Sequence, residues 1–293
     1  MDKHYLKILG FHVVLGLLIF SFRSFGDIYF YGLVSYFFFK IISAKPNLKA
    51  FEVIKACAYI LGAEVILRMT GSGLFYESSK YLVIVFCVLG LFYRGFQFKA
   101  VPYIFYILLL IPGIYVSLYL LDVSYNIRKA IAFNLSGPVT LGIAALFCYK
   151  IQLSKKQLGT VLNFIIYPLV STMVYIYTYN PNVSEFANST GSNYVTSGGF
   201  GPNQVATILG LGFFLVTVRF FYFSKSKLLK YLDLLLILLF AFRAIVTFSR
   251  GGVFTAIIMI VAFIFIQYKS MDKVNKTRMI SSVVVFFVIG AVT

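Results

Sequence analysis

The chain has 293 residues, of which 60% are hydrophobic and 12% charged, and its mean hydropathy of +0.91 excludes a water-soluble domain. The formal net charge of +17 does not indicate a nucleic-acid partner, because Lys and Arg collect in the cytoplasmic loops of membrane proteins. Strict apolar alternation, the pattern of transmembrane barrel strands, is absent. The composition therefore predicts an all-α, polytopic transmembrane helix bundle whose surroundings are the lipid bilayer.

Apolar runs of roughly 17–22 residues recur along the chain, and each is long enough to cross about 30 Å of hydrocarbon. We predict ten complete spans and an eleventh that begins near residue 279 and is incomplete at Thr293, so the native protein is expected to continue further. The complete spans are predicted at 5–22, 28–44, 51–68, 79–94, 101–121, 131–149, 158–178, 202–222, 231–249 and 252–268.

The loop charges predict the orientation of the bundle. With a cytoplasmic N-terminus, nineteen of the 26 basic residues fall on the cytoplasmic side, in agreement with the positive-inside rule. Five of the seven outer basic residues are Arg, whose planar fork of donors suits bidentate phosphate recognition. This weighting predicts an anionic ligand outside the cytoplasm, although chance in so small a sample gives the same split.

Two spans carry polar groups that need partners inside the membrane. Glu64 and Arg68 are four residues apart in the third span and are expected to form a structural ion pair on one helix face. In the sixth span, Asn134 precedes Gly137-Pro138, which is expected to interrupt the helix and to free backbone groups that only protein or a cavity satisfies. The break is interpreted either as a substrate-site element that includes Asn134 or as a packing kink.

The longest outer loop, 179–201, contains no Lys or Arg and is rich in Asn, Ser, Thr, Gly and Tyr. Such residues hydrogen-bond to sugars and pack against them, but any exposed loop also uses polar turn-formers. The loop passes into the eighth span at Pro202, a favourable first helical residue. Gly201, Asn203 and Gln204 are therefore predicted at the outer interface, where the N–H groups of a helix start attract anions.

The sequence RAIVTFSRGG (243–252) closes the ninth span with two arginines. Because they are seven residues apart, Arg243 and Arg250 are predicted to share one helix face, separated by about 10 Å of rise. Charge at membrane depth costs about 2.5–3.5 kcal/mol on insertion scales and is a functional-site hypothesis by default. The alternative is that both side chains reach the interface as anchors. Ser249 and Gly251 flank the second arginine in the turn that follows.

Together, GGFGPNQVATILGLG (198–212) and RAIVTFSRGG (243–252) resemble the O-antigen ligase and polymerase family of bacterial membrane glycosyltransferases. The resemblance is specific over about residues 195–265 and only architectural over 1–190. We therefore divide the chain into N-terminal transmembrane helices, 1–190, and a ligase- or polymerase-like segment, 191–293.

The resemblance implies transfer of a glycan from undecaprenyl diphosphate to a lipid or glycan acceptor, at the periplasmic face of the bacterial inner membrane. It implies neither a metal nor another cofactor. Arg250 matches the family's turn arginine, which is held to engage the donor diphosphate, and Arg243 is a weaker match as a second catalytic residue. The expected substrate-binding residues are Gly201, Pro202, Asn203, Gln204, Ser249, Gly251 and Asn134.

The chain departs from the family's pattern in one respect. The large outer loop that carries a histidine and a further arginine in the family would follow later spans, and the sequence ends first. His4 and His12 are assigned to the cytoplasmic end of the first span and cannot replace that histidine. The acceptor hydroxyl still needs a base or an orienting acceptor. The candidates on the outer side are Asp27, Glu77, Asp122 and Glu185.

A secondary transporter or lipid-linked glycan flippase is the alternative function, because transporters also use broken helices and charge at mid-depth. Transporters carry internal repeats, and the sequence shows none. Arg250 and the Gly-Pro-Asn-Gln turn are assigned to the outer rim rather than to mid-depth, which favours the transferase. A non-catalytic envelope scaffold, and the choice between ligase and polymerase, stay open.

Overall fold

A computed structural model describes residues 2–120, 126–179, 192 and 194–270, and every regular element within these ranges is helical. The predicted all-α class is therefore confirmed. The α-helices are α1 (Asp2–Ser21), α2 (Ser24–Ser43), α3 (Pro46–Thr70), α4 (Ser78–Arg94), α5 (Val101–Leu108), α6 (Ile111–Leu120), α7 (Ile127–Cys148), α8 (Lys155–Tyr179), α9 (Pro202–Tyr222), α10 (Lys227–Val246) and α11 (Arg250–Ser270). Short 3₁₀ turns at Phe98–Ala100 and Val195–Ser197 precede α5 and α9.

The described helices follow the predicted order of spans. In this part of the chain, seven segments are long and apolar enough to cross a membrane, which marks the chain as a multi-pass membrane protein. The other long helices differ in charge or length, since α3 and α10 carry more charged residues and α4 has 17 residues. The predicted eleventh span lies outside the described residues.

Two prolines affect their helices differently. The predicted fifth span, 101–121, corresponds to one apolar segment at Phe98–Leu118, in which α5 ends at Leu108 and α6 begins at Ile111, directly before Pro112. Pro112 lacks the backbone N–H that would bond to the carbonyl of Leu108, four residues earlier, and this accounts for the break. The expected interruption at Gly137-Pro138 is wrong, because α7 continues through Pro138.

Side-chain hydroxyls add hydrogen bonds to backbone carbonyls on both sides of Pro138 in α7. Ser136 donates a hydrogen bond of 3.0 Å to the carbonyl of Phe133, and Thr140 donates one of 2.6 Å to the carbonyl of Ser136. Ser and Thr side chains commonly satisfy backbone groups that proline disturbs in membrane helices. The helix is therefore held on both sides of Pro138.

Helix α8 lies inside the bundle, packed between α1 and α3. Glycines permit the close approach on both sides. A Cβ on Gly16 of α1 would lie 2.6 Å from the carbonyl oxygen of Ser171, and one on Gly62 of α3 would lie 2.3 Å from that of Ile165. Small residues at helix crossings are the usual basis of packing between membrane helices. One buried apolar cluster joins α1, α8, α9 and α10, and a second joins α2, α3 and α4.

We call the end of the bundle where α1 begins the near end, and the opposite end the far end. At the near end, Arg219 of α9 is 4% exposed and forms an ion pair with Asp233 of α10, which is fully buried. Asp233 also accepts a hydrogen bond from Ser224, and the Arg219 guanidinium lies 3.6 Å from the ring centroid of Tyr5. These contacts close the α9–α10 hairpin, so the start of α9 and the end of α10 lie together at the far end.

Candidate functional site

The two sequence motifs meet at the far end of the bundle. Ser249, between α10 and α11, donates a hydrogen bond of 2.7 Å to the side-chain oxygen of Asn203 in the first turn of α9. Ser249 is buried, whereas Asn203 is exposed. The Gly-Pro-Asn-Gln segment and the Ser-Arg-Gly-Gly segment therefore form one site, although more than forty residues separate them in the chain.

A tight turn at Thr247–Ser249 positions the Ser-Arg-Gly-Gly segment. The Thr247 hydroxyl donates a 2.7 Å hydrogen bond to the carbonyl of Ala244 and accepts one of 3.2 Å from the backbone N–H of Ser249. Phe248 between them has φ 54°, in the left-handed region that a bulky residue rarely adopts. Residues in such conformations concentrate at functional sites, where the surrounding structure holds them.

The expected shared helix face of Arg243 and Arg250 is wrong. The turn separates them, so Arg243 lies in the last turn of α10 and Arg250 is the first residue of α11. Arg243 is fully buried and donates a 2.7 Å hydrogen bond to the carbonyl of Ile176, with its guanidinium 5.0 Å from the Tyr177 ring centroid. Arg250 is exposed. Of the two, Arg250 is the arginine that a ligand at the surface can reach.

The helices α9 and α11 cross with their backbones in close contact. A Cβ on Gly252 would lie 2.4 Å from the carbonyl carbon of Ala206, and one on Gly210 would lie 2.6 Å from the carbonyl oxygen of Gly252. Gly252 is therefore a packing residue, while a Cβ on the exposed Gly251 would meet nothing within 4 Å. The crossing sets the N-termini of α9 and α11 side by side, and both present the positive end of a helix dipole to the same region.

A pocket of ≈ 290 Å³ opens beside the turn, with mostly apolar walls. Its polar lining comes from Ser249 and Arg250. An apolar pocket with a few convergent polar groups is the usual form of a small-ligand site. The lining residues are Ile245, Phe248, Ser249, Arg250, Val253 and Phe254.

The glycines before α9 bend the chain, and two of them face protein. Gly198 and Gly199 have φ of 72° and 74°, whereas Gly201 has an ordinary φ of −54°. A Cβ on Gly198 would lie 3.3 Å from Met69, and one on Gly199 would lie 2.8 Å from the Tyr179 hydroxyl. These positions therefore let the loop pack on its own bundle.

The first residues of α9 occupy the predicted places. Pro202 is buried at the first position of the helix, and Gln204 is exposed in the first turn beside Asn203. The loop residues 180–191 and 193 lie outside the described residues, so the predicted sugar-contacting loop is not part of the described site.

Asn134 does not join this site. It is exposed on α7, which packs on α4, α5 and α6, whereas the site is built on α9, α10 and α11. With α7 unbroken at Pro138, the reason for assigning Asn134 to a cavity also disappears.

A polar cluster, which we define as Glu64, Arg68, Glu77, Lys80 and Ser136, joins α3, α4 and α7 at the far end. The predicted Glu64–Arg68 pair is confirmed at 3.1 Å, and Arg68 also reaches Glu77 at 3.4 Å. Glu77 further pairs with Lys80 at 2.7 Å, and its carboxylate lies 3.2 Å from the Ser136 hydroxyl, whose one hydrogen it shares with the carbonyl of Phe133. The Glu77–Lys80 ion pair could also have been predicted, because the two residues are three positions apart at the start of the fourth span.

The acids considered as the acceptor base are thus differently placed. Glu77 is buried and held by two cations and a hydroxyl. Asp27 is exposed and accepts a 3.2 Å hydrogen bond from the backbone N–H of Gly73. Asp122 and Glu185 lie outside the described residues. Among the described residues, Asp233 on α10 is the one acid on the three helices that build the site, and it lies at the near end, paired with Arg219.

The assignment of His12 to one end of the first span is wrong, because this residue lies near the middle of α1 and is 2% exposed. Its Nδ1 lies 2.8 Å from the carbonyl of Ile8, which only accepts, so Nδ1 carries the proton. In the neutral imidazole, Nε2 then accepts from the Tyr59 hydroxyl at 2.8 Å, which itself accepts from Tyr29 at 3.0 Å. These residues form a buried hydrogen-bonded chain across α1, α2 and α3.

Comparison with known proteins returns no match: no protein family, no curated protein and no solved structure is similar to the chain at a significant level.

Proposed function

We propose that this protein is a metal-independent glycosyltransferase of the bacterial inner membrane, acting at the outer face on a glycan carried by undecaprenyl diphosphate. The acceptor is a lipid or another glycan, as in an O-antigen ligase or polymerase. The observation that carries the proposal is the hydrogen bond between Asn203 and Ser249, because it joins both family-like motifs into one site that contains Arg250.

The charge of the leaving group sets the main demand on such a site. Transfer of the glycan leaves a lipid diphosphate, and fixed positive groups aimed at that charge lower the barrier. The exposed guanidinium of Arg250 and the adjacent N-termini of α9 and α11 supply such groups. The apolar walls contributed by Ile245, Val253 and Phe254 suit the start of a polyprenyl chain.

The other residues of the motifs then have separate roles. Asn203 and Ser249 fix the two helix starts relative to each other, and Gln204 offers an exposed amide to the glycan. Arg243 acts as a positioning residue, since it ties the end of α10 to the carbonyl of Ile176 on α8. Of the two arginines, the proposal therefore assigns diphosphate binding to Arg250.

The test is a glycan profile from a strain that lacks the gene, complemented with wild type, Arg250→Ala or Arg250→Lys. We expect Arg250→Ala to fail and Arg250→Lys to restore transfer only in part, because lysine is a point charge without the planar fork. Loss of long chains with single repeats still attached indicates a polymerase. Polymer that accumulates on its carrier indicates a ligase.

The matched control is Lys129→Ala, which removes another exposed far-end cation outside the site. Protein abundance in the membrane is measured for each variant. Full complementation by Arg250→Ala, or an unchanged glycan profile in the deletion strain, contradicts the proposal.

One observation favours the second candidate function, a secondary transporter or glycan flippase. His12 is an ionisable residue buried near the middle of α1, and such residues mark ion and proton paths in transporters. The variant His12→Gln separates the two functions. A transporter loses movement of the glycan across the membrane, whereas the transferase retains its product once the variant reaches wild-type abundance.

A further inference from the structure

A groove of ≈ 590 Å³ lies between α4, α6 and α7, away from the site on α9–α11. Its walls are apolar, with Tyr81 and Ile84 from α4, Leu118 from α6, and Leu135 and Val139 from α7. This volume falls in the usual range for ligand pockets. The groove does not belong to the transferase proposal and is independent of it.

The groove is one membrane leaflet deep. Along α7 its lining runs from Ile127 to Val139, thirteen residues that span about 18 Å of helix rise. The hydrocarbon core of a bilayer is about 30 Å thick, so one leaflet contributes roughly half of that depth. An acyl chain of a phospholipid matches this depth, whereas an undecaprenyl chain is far longer than one leaflet.

A cation marks the far-end opening of the groove. Arg128 lines it, is exposed, and takes part in none of the ion pairs formed among the described residues. The neighbouring polar cluster adds no net charge, because its two acids pair with its two bases. From this cluster, Ser136 lines the groove and accepts a 3.2 Å hydrogen bond from Lys80.

We propose that the groove binds an anionic glycerophospholipid, with one acyl chain between α4, α6 and α7 and its phosphate at Arg128. The guanidinium fork of Arg128 matches a phosphate in two-point contact. An attraction of about 1 kcal/mol between one basic residue and an anionic lipid surface corresponds to about a fivefold preference. The apolar walls add contact area for the chain, which a headgroup interaction alone lacks.

The absence of Trp from the sequence allows a direct test by fluorescence quenching. Tyr81→Trp places the only indole in the groove wall, and Ile28→Trp places it on α2, at a position that is 63% exposed and outside the groove. Each full-length protein is reconstituted in phosphatidylcholine vesicles that contain a small fraction of acyl-brominated phosphatidylglycerol. We expect the groove reporter to be quenched as if its local fraction of this lipid were about five times that at Ile28→Trp.

Charge variants in the Tyr81→Trp background identify the contact. Arg128→Gln should reduce quenching to the level of the Ile28→Trp reporter, and Arg128→Lys should retain most of it. Lys129→Gln, an adjacent cation that does not line the groove, should retain it fully. Brominated phosphatidylcholine should quench both reporters equally.

Four results would overturn the proposal. The first is equal quenching of the two reporters by the anionic lipid, and the second is unchanged lipid selectivity after Arg128→Gln in protein that elutes as folded. The third is the absence of quenching of Tyr81→Trp by any lipid. The fourth is displacement of the brominated lipid by equimolar undecaprenyl phosphate. The third shows that another protein copy covers the groove, and the fourth that it belongs to the polyprenyl carrier.

Discussion

Ser249 donates a 2.7 Å hydrogen bond to Asn203 across 46 positions of sequence, and this contact joins the starts of α9 and α11. It is the local link that brings the two motifs together. The buried ion pair at the opposite end of α9 supports the same arrangement from a distance.

The proximity of these two residues is directly testable by cross-linking. In a background in which Cys57, Cys87 and Cys148 are replaced, Asn203→Cys with Ser249→Cys should form a disulfide under mild oxidation, because their side chains are in contact. The matched control is Asn203→Cys with Thr255→Cys, an exposed position further along α11. Equal cross-linking of the two pairs on a non-reducing gel contradicts the contact.

The two glycines after Arg250 should respond differently to substitution. Gly252→Ala forces a Cβ to within 2.4 Å of the Ala206 backbone, so α9 and α11 must separate and the protein should lose thermal stability in detergent. Gly251→Ala adds a Cβ in open space and should leave the melting temperature unchanged. If Gly252→Ala melts at the wild-type temperature, the close crossing is incorrect.

The ninth and tenth spans show which structural features could be predicted from the sequence. Both spans were predicted with boundaries within a few residues, because runs of apolar residues report membrane helices strongly. The turn between them was assigned to Ser-Arg-Gly-Gly, where glycine favours a break. The break instead comes earlier, at Thr247–Ser249, because Gly252 is needed inside α11 where the helix crosses α9.

The inward direction of the Arg243 side chain and the continuity of α7 at Pro138 could not be predicted from the sequence. Both depend on partners from distant elements or on hydroxyls one turn away. Arg243 turns inward to the carbonyl of Ile176, 67 positions earlier, and α7 is held across Pro138 by Ser136 and Thr140. By contrast, Glu64–Arg68 was predictable, since spacing of four on one helix needs no tertiary information.

Substitution of Arg243 should affect stability, whereas substitution of Arg250 should affect activity. Arg243→Met removes a charged hydrogen bond to the carbonyl of Ile176 and should lower the free energy of unfolding by about 1.5–3 kcal/mol in an SDS titration. Arg250→Met, at an exposed position, should leave that free energy unchanged while the transfer activity is lost. Equal stability losses for the two variants would contradict this division.

The orientation predicted from loop charge can be checked by labelling. With the native cysteines replaced, Arg250→Cys at the far end should react with a membrane-impermeant maleimide in intact cells. Lys227→Cys, at the near-end start of α10, should react only after the membrane is permeabilised. The reverse pattern would place the proposed active face in the cytoplasm and exclude a periplasmic diphosphate donor.

For the buried pair of Arg219 and Asp233, removing one charge should cost more stability than removing both. Asp233→Leu leaves the Arg219 guanidinium, which is 4% exposed, without its carboxylate, and should cost about 3–5 kcal/mol of unfolding free energy. The double variant Arg219→Met with Asp233→Leu removes both charges and should recover most of that loss, since apolar replacements of similar volume repack such sites well. Lys230→Leu, at an exposed position on the same helix, is the matched control. Arg219→Met is also measured alone. If the loss of stability in the double variant equals the sum of the losses in Asp233→Leu and Arg219→Met, the two side chains do not act as a pair. The α9–α10 hairpin must then be held by its apolar contacts alone.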